Sequence, residues 1–222
     1  MPSYKFSYFD ARGRGEVGRQ LFHLAGVPFE DHRISQTEWP ALKEKTLFHQ
    51  LPLLEVNGQL LTQSYAIFRY LAKQFGMQIN LLCPDPLPPL SFDGNSPFEA
   101  AWVDALADQH KDYFNEILPA LVVVAGLKPG DKDQLMKDVA IPARDKYFAL
   151  LEQQATDNGN NGHFVGSTLT WVDLLIADHV DFLIKKMPGF LDYYPHVLKN
   201  VHKIESIPKL REYLDKRPDT AF

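Results

Sequence analysis

Apolar positions over residues 1–76 switch between a period of two and a period of about 3.6, which predicts alternating strands and helices. Residues 4–8 form a short aromatic run suited to a strand, followed by the polar turn Arg12-Gly13-Arg14-Gly15. The spacing over 16–25 predicts a helix with Val17, Leu21 and Leu24 on one face and Gly26 as its stop. Residues 29–34 suit a second strand, and a looser stretch holding Trp39 follows. Two further short strands, 53–56 and 59–61, flank Asn57-Gly58, a dipeptide that favours a tight hairpin because both of its turn positions need positive φ. Ser64 is placed to cap a helix running through Ile67, Tyr70 and Leu71 to Gly76. The order β-α-β-β-β-α predicts a small mixed sheet with one right-handed crossover.

From Ser96 onward the period is helical throughout. Ser96-Pro97-Phe98-Glu99 reads as a capping box with proline at the first helical position. It opens a long helix with Trp102, Ala105, Leu106 and Gln109 spaced for one face. A turn over 126–130 precedes a second long helix over 132–154, where Pro142 predicts a kink. Thr170-Trp171-Val172-Asp173 is a second capping box, with Leu169 and Leu174 placed as a hydrophobic staple. The apolar helix behind it, over 171–186, is expected at the centre of this half, and short helices near 196–203 and 208–216 finish the chain. Residues 77–95 carry Pro84, Pro86, Pro88 and Pro89, a density that no helix or central strand tolerates. The expected organisation is therefore 1–76, an exposed extended linker over 77–95, and an all-helical 96–222.

Composition narrows the function classes. The 222 residues are 45% hydrophobic and 23% charged, the profile of a globular protein. The 23 Lys+Arg against 28 Asp+Glu give −5 with no basic block, which argues against a nucleic-acid partner. The longest mainly apolar run, 117–126, is about half of a membrane span and is interrupted by Pro119, so no membrane partner is expected. No charged leader with an apolar stretch behind it opens the chain. Cys83 is the one cysteine and leaves no Cys-x-x-Cys pair. A cytoplasmic location is expected. The eight His are scattered without ligand spacing, so no metal is expected.

The residues suited to chemistry gather on loops of the first half. Tyr8 ends the first strand, Arg14 lies in the next loop, Trp39 and Lys43 sit in the irregular stretch, Gln50-Leu51-Pro52 precedes the third strand, and Gln63-Ser64 opens a helix. Such positions concentrate binding residues on an α/β unit, and a helix N-terminus favours a carboxylate. The set suits a small, multiply charged, peptide-like ligand. In the second half Asp104, Asp108 and Asp112 recur at i, i+4 and i+8, either as a solvated helix face or as a functional acidic stripe.

These residues fall in motifs. Tyr8-Phe9-Asp10-Ala11-Arg12-Gly13-Arg14-Gly15 within 4–16, Gln50-Leu51-Pro52 within 50–58 and Gln63-Ser64-Tyr65 within 63–71 closely resemble sigma-class glutathione S-transferases. Residues 102–109 and 169–173 look like two helices of that family's second domain, so the resemblance covers the chain apart from 77–95. It implies an α/β thioredoxin-like domain that binds glutathione, followed by an all-α domain forming the pocket for a hydrophobic electrophile. The implied reaction is conjugation of glutathione, as co-substrate, to electrophilic small molecules in detoxification. Tyr8 would be catalytic, its hydroxyl donating to the glutathione sulfur. Pro52 would be the family's cis-proline, letting the Leu51 backbone pair with the tripeptide. Gln63 and Ser64 would hold the γ-glutamyl end, and Trp39, Lys43 and Gln50 the glycyl end. Arg14 would support the site electrostatically. Asp112 would reach the glutathione of a neighbouring subunit, which implies a homodimer. His49 stands in the wall of the glycyl pocket where the family usually has Gly, and 77–95 is longer than the family's usual linker. The electrophile pocket is expected around Tyr8, Phe9, Arg14 and the helix face near Tyr113.

Two other readings belong to different classes. One is glutathione-dependent isomerisation of the prostaglandin D synthase type, against which Pro119 and Lys111 stand where those enzymes carry tryptophan and an acid. The other is a non-catalytic ligand-carrying or structural protein like the lens crystallins of this family, which would have no chemical need for Tyr8. A thioredoxin or glutaredoxin role is disfavoured, since residues 1–76 contain no cysteine.

Overall fold

Alternating aromatic and polar residues make strand β1 (Tyr4–Phe9) an inner strand of a four-stranded sheet in the order β2 (Glu30–Ile34), β1, β3 (Leu53–Val56), β4 (Gln59–Thr62). The computed structural model describes residues 2–82 and 92–220. Strand β2 (Glu30–Ile34) runs parallel to β1, and helix α1 (Glu16–Ala25) makes the crossover between them. Strands β3 (Leu53–Val56) and β4 (Gln59–Thr62) add antiparallel. The hairpin between them turns at Asn57 (φ 50°) and Gly58 (φ 83°), the two positive angles that the dipeptide predicts. Between β2 and β3 lie a short helix α2 (Trp39–Lys43) and a 3₁₀ turn at Leu47–His49.

The sheet buries Tyr4, Phe6 and Leu54 with Leu21 and Phe22 of α1 and Ile67, Phe68, Leu71 and Phe75 of α3 (Ser64–Leu82). Phe22 is the hub of this core: it stacks on Phe29 at 4.2 Å and meets Tyr4 and Phe75 edge-on at 5.3 and 5.2 Å. This is the thioredoxin-like arrangement the motifs imply. Gly76 does not stop α3, which continues to Leu82. Glycine costs a helix interior only about 1 kcal/mol, and residues 77–82 contain no proline to enforce an end. The expected linker therefore begins inside a helix. Near its other end the chain is buried: Phe92 is 1% accessible, and Asp93 is buried with an ion pair to Lys73 at 3.6 Å. The proline-rich part, 83–91, lies outside the described residues.

The chain divides into two compact units, 1–93 together with 207–222, and 94–206. The second unit is all-helical among the described residues: α4 (Pro97–Val124), α5 (Lys132–Leu135), α6 (Ile141–Asp157), α7 (Trp171–Lys186) and α8 (Pro195–Glu205). Ser96 caps α4 by accepting from the Glu99 N–H, and the Glu99 carboxylate reaches back to the Asn95 N–H. The buried face of α4 is Val103, Leu106, His110, Tyr113 and Ile117; of the residues spaced for one face, Leu106 is buried, while Trp102 is 43% exposed. The long helix expected over 132–154 is split by a π-helical turn, Met136–Ala140, just before Pro142. The wider turn accommodates a residue that lacks an N–H and crowds the preceding turn. The Thr170–Asp173 capping box forms as expected at the start of α7, the helix whose face carries Val172, Ile176 and Val180 into the core. Helix α9 (Pro208–Lys216), which patterning groups with the helical half, packs instead on α1 of the first unit.

Candidate active site

Tyr8 lies near the end of β1, where the chain turns into a 3₁₀ turn, Gly13–Gly15, and then into α1. The Arg14 backbone N–H donates to the Tyr8 hydroxyl oxygen at 3.0 Å. That turn is possible because residue 15 has no side chain: a Cβ there would fall 2.4 Å from Cδ1 of Tyr8. Burial pushes the Tyr8 phenol above its usual range, against the opposing pull of the Arg14 N–H and of the Arg14 and Arg19 charges. The phenol thus stays protonated near neutral pH. With its oxygen already accepting from Arg14, its own proton remains to be donated, and accepting one hydrogen bond strengthens the next.

Arg19 supports this corner from within. Its guanidinium, 1% exposed, sits 5.9 Å from the Tyr8 ring centre and donates to the Phe9 and Ala11 carbonyls at 3.0 and 2.6 Å. Its Nε donates to Asp31 at 3.0 Å, and Asp31 in turn accepts from Arg33, which also bridges to Asp10. Sequence reasoning passed over Arg19, because a cation at this helical position reads as a solvated face.

The other expected residues of the first unit fall into local pairs. Trp39 opens α2 and meets Phe9 edge-on at 5.5 Å, while Phe9 meets Tyr8 the same way at 5.5 Å. Lys43 ends α2 with an exposed side chain, and its carbonyl accepts from Nδ1 of His49 at 3.0 Å. A carbonyl only accepts, so that nitrogen carries the ring proton. His49 has φ 51°, a left-handed conformation that favours glycine. Gln50 and Gln63 are joined by a 3.3 Å hydrogen bond, and the Leu51–Pro52 peptide is cis. Gln63, with φ 72°, is the residue that caps α3, since its carbonyl accepts from the Ile67 N–H. Ser64, expected as the cap, is instead the first helical residue and is buried.

In the second unit Asp108 and Asp112 are exposed on α4. Tyr113, near which the pocket face of α4 is expected, is itself a core residue. It is 3% exposed, stacks on Tyr147 at 4.3 Å, and its hydroxyl lies 3.3 Å from Nε2 of His179. Burial raises its phenol well above the ordinary range. Among the described residues no three His, Cys, Asp or Glu side chains are grouped to hold a metal ion, and no helix is long and apolar enough to cross a membrane.

Comparison with known proteins matches two family models. Residues 4–73 match the glutathione S-transferase N-terminal domain and residues 111–217 the glutathione S-transferase C-terminal domain. A curated relative, glutathione S-transferase 1 of Ascaris suum, is 42% identical over 222 residues, with 100% of each chain covered. Among solved structures, a monomeric glutathione S-transferase from the hookworm Necator americanus is 40% identical with a TM-score of 0.89, covering 99% of this chain and 100% of its own. A Nu-class enzyme from Haemonchus contortus is also 40% identical, with a TM-score of 0.85 and 100% of both chains covered.

Proposed function

This chain belongs to the glutathione S-transferase family, and from that premise we propose that Tyr8 activates the glutathione sulfur by donating its hydroxyl proton in a hydrogen bond to the thiolate. Glutathione is the co-substrate and an electrophilic small molecule the acceptor. A free thiol has a pKa of about 8.5, so near neutral pH only a few per cent is thiolate. Lowering it by about two units requires about 2.7 kcal/mol of preference for the thiolate. One charge-assisted hydrogen bond supplies most of that.

The observation that carries this reading is the Arg14 N–H on the Tyr8 oxygen together with a phenol held protonated by burial. Tyr8 is thereby pre-set as a donor and not as a base. Gln63 and Ser64 at the start of α3 hold the γ-glutamyl carboxylate, where helix N–H groups are unpaired. Gln50, Trp39, Lys43 and His49 form the glycyl end, the Leu51 backbone before Pro52 pairs with the peptide, and Arg14 adds positive charge.

The class within the family is proposed as sigma on the motifs around Tyr8, Pro52 and Ser64; similarity to a Nu-class enzyme makes that the competing assignment. A homodimer, with Asp112 reaching the partner's glutathione, and a cytoplasmic location complete the reading, the latter because one cysteine in 222 residues suits a reducing compartment. The test of the thiol assignment is titration of glutathione bound to Tyr8→Phe, followed by thiolate absorbance. The variant should bind glutathione normally while its bound thiol titrates close to the free one. A wild-type midpoint in the variant rejects the assignment.

A further inference from the structure

A buried carboxylate stands directly behind the Tyr8 turn. Glu16, the first residue of α1, is 2% exposed. Its Oε1 accepts from the Tyr213 hydroxyl at 3.0 Å and from the Arg217 guanidinium at 2.9 Å, and its Oε2 lies 3.7 Å from the Arg19 guanidinium. Tyr213 belongs to α9 and Arg217 directly follows that helix, so the carboxylate ties α9 to the start of α1.

The place of this tie matters more than its strength. Glu16 follows the turn whose Arg14 N–H holds the Tyr8 oxygen. Arg19, on the other side of the carboxylate, grips the Phe9 and Ala11 carbonyls that frame the same turn. Arg217, Glu16, Arg19, Asp31, Arg33 and Asp10 form one alternating series of three cations and three anions. Removing the terminal cation takes a positive neighbour from the buried Glu16, whose Oε2 already lies 3.7 Å from the Arg19 guanidinium, and strengthens the pull of the carboxylate on Arg19. Any movement of Arg19 toward Glu16 loosens its hold on the backbone around Tyr8.

We propose that Arg217 and Tyr213 are positioning residues for the thiol-activating Tyr8, acting through the buried carboxylate of Glu16 on the turn that carries Arg14. This rests on the assignment of Tyr8 as the sulfur's partner, and the test separates the two. His23 stacks on Tyr213 at 4.3 Å and so steadies the phenol ring that Glu16 uses.

The experiment is titration of the thiol in the binary glutathione complex of wild type, Arg217→Met, Arg217→Lys, Tyr213→Phe and Tyr8→Phe, with glutathione affinity and melting temperature measured on each. Arg217→Met should raise the midpoint by about half a unit, equivalent to about threefold less thiolate at fixed pH below it, with affinity unchanged within about twofold. Arg217→Lys should restore most of the shift, and Tyr213→Phe should give a smaller rise in the same direction. Should Arg217→Met fail to fold, the Tyr213→Phe midpoint decides. Leu210→Ala, which loosens buried packing of α9 without touching the carboxylate, should lower the melting temperature and leave the midpoint in place. A raised midpoint in Tyr8→Phe with wild-type midpoints in both clamp variants overturns the positioning role alone. A wild-type midpoint in Tyr8→Phe overturns the thiol assignment and the positioning role with it. An equal shift in Leu210→Ala also overturns the proposal, because loosened packing then suffices.

Discussion

Gly15 and the ring of Tyr8 are in such close approach that even a methyl group on residue 15 would lie 2.4 Å from Cδ1. The backbone of residue 15 has φ −99°, which any amino acid adopts, so the requirement for glycine is one of space alone. Gly15→Ala should therefore displace the tyrosine ring or the turn that carries Arg14. The expected outcome is a stability loss of about 1–3 kcal/mol and a conjugation rate depressed toward that of Tyr8→Phe. Chemical denaturation and steady-state rates check both; normal turnover in Gly15→Ala rejects the coupling.

Asp173 is fully buried at the start of α7. Its Oδ2 accepts from the Thr170 N–H and hydroxyl, its Oδ1 from the Phe164 N–H and the Asn200 side chain, and His163 lies 3.5 Å away. Asp173→Ala removes the buried acceptor that the Thr170, Phe164 and Asn200 donors share and should cost about 3–5 kcal/mol. Thr170→Ala, which loses one side of the box, should cost about 1–2 kcal/mol. Urea unfolding of the two variants gives the ranking, and a smaller loss in Asp173→Ala contradicts it.

Alkaline pH should unfold the protein through its buried phenols. Burial raises Tyr113 well above the ordinary range, and burial together with the Glu16 charge raises Tyr213. The unfolded phenol ionises near pH 10 while the native one keeps its proton, so above about pH 10 the native state binds more protons. Stability is then fully present below that pH and declines above it, by up to about 1.4 kcal/mol per pH unit for each such tyrosine. Phenolate absorbance should rise in step with loss of structure. Ionisation of all nine tyrosines before unfolding would contradict this.

The proposed dimer predicts that Asp112→Ala weakens glutathione binding several-fold without altering the melting temperature, since the residue is exposed on α4. Sedimentation at micromolar concentration tests the assembly, and the variant's affinity tests the contact. A fully active monomer removes both.

Much of the first unit was legible in the sequence because its signals are local. The Asn57-Gly58 turn and the aromatic run of β1 each act within a few residues, and the structure shows both. Gly76 misled because a helix ends where the following residues cannot continue it, and 77–82 can. The face that holds Trp102 was legible but not its exposure, because helical spacing identifies a face without saying which face is buried. In the candidate site, motifs singled out Tyr8 and Arg14, but not that one holds the other through backbone. Glu16 and Arg19 were invisible as buried charges: the partners Tyr213 and Arg217 lie 197 and 201 positions away from Glu16.

The return of residues 207–222 to the first unit sets an order of assembly during synthesis. The sheet strands leave the ribosome before the helical unit, yet the carboxylate at the head of α1 waits until that unit has been made before it meets Tyr213 and Arg217. The whole helical unit is translated in the interval and has time to fold on its own. The first unit is thus begun before the helical unit and completed after it, and a chain stalled before α9 lacks both the Tyr213 hydroxyl and the Arg217 guanidinium that the Glu16 carboxylate accepts from.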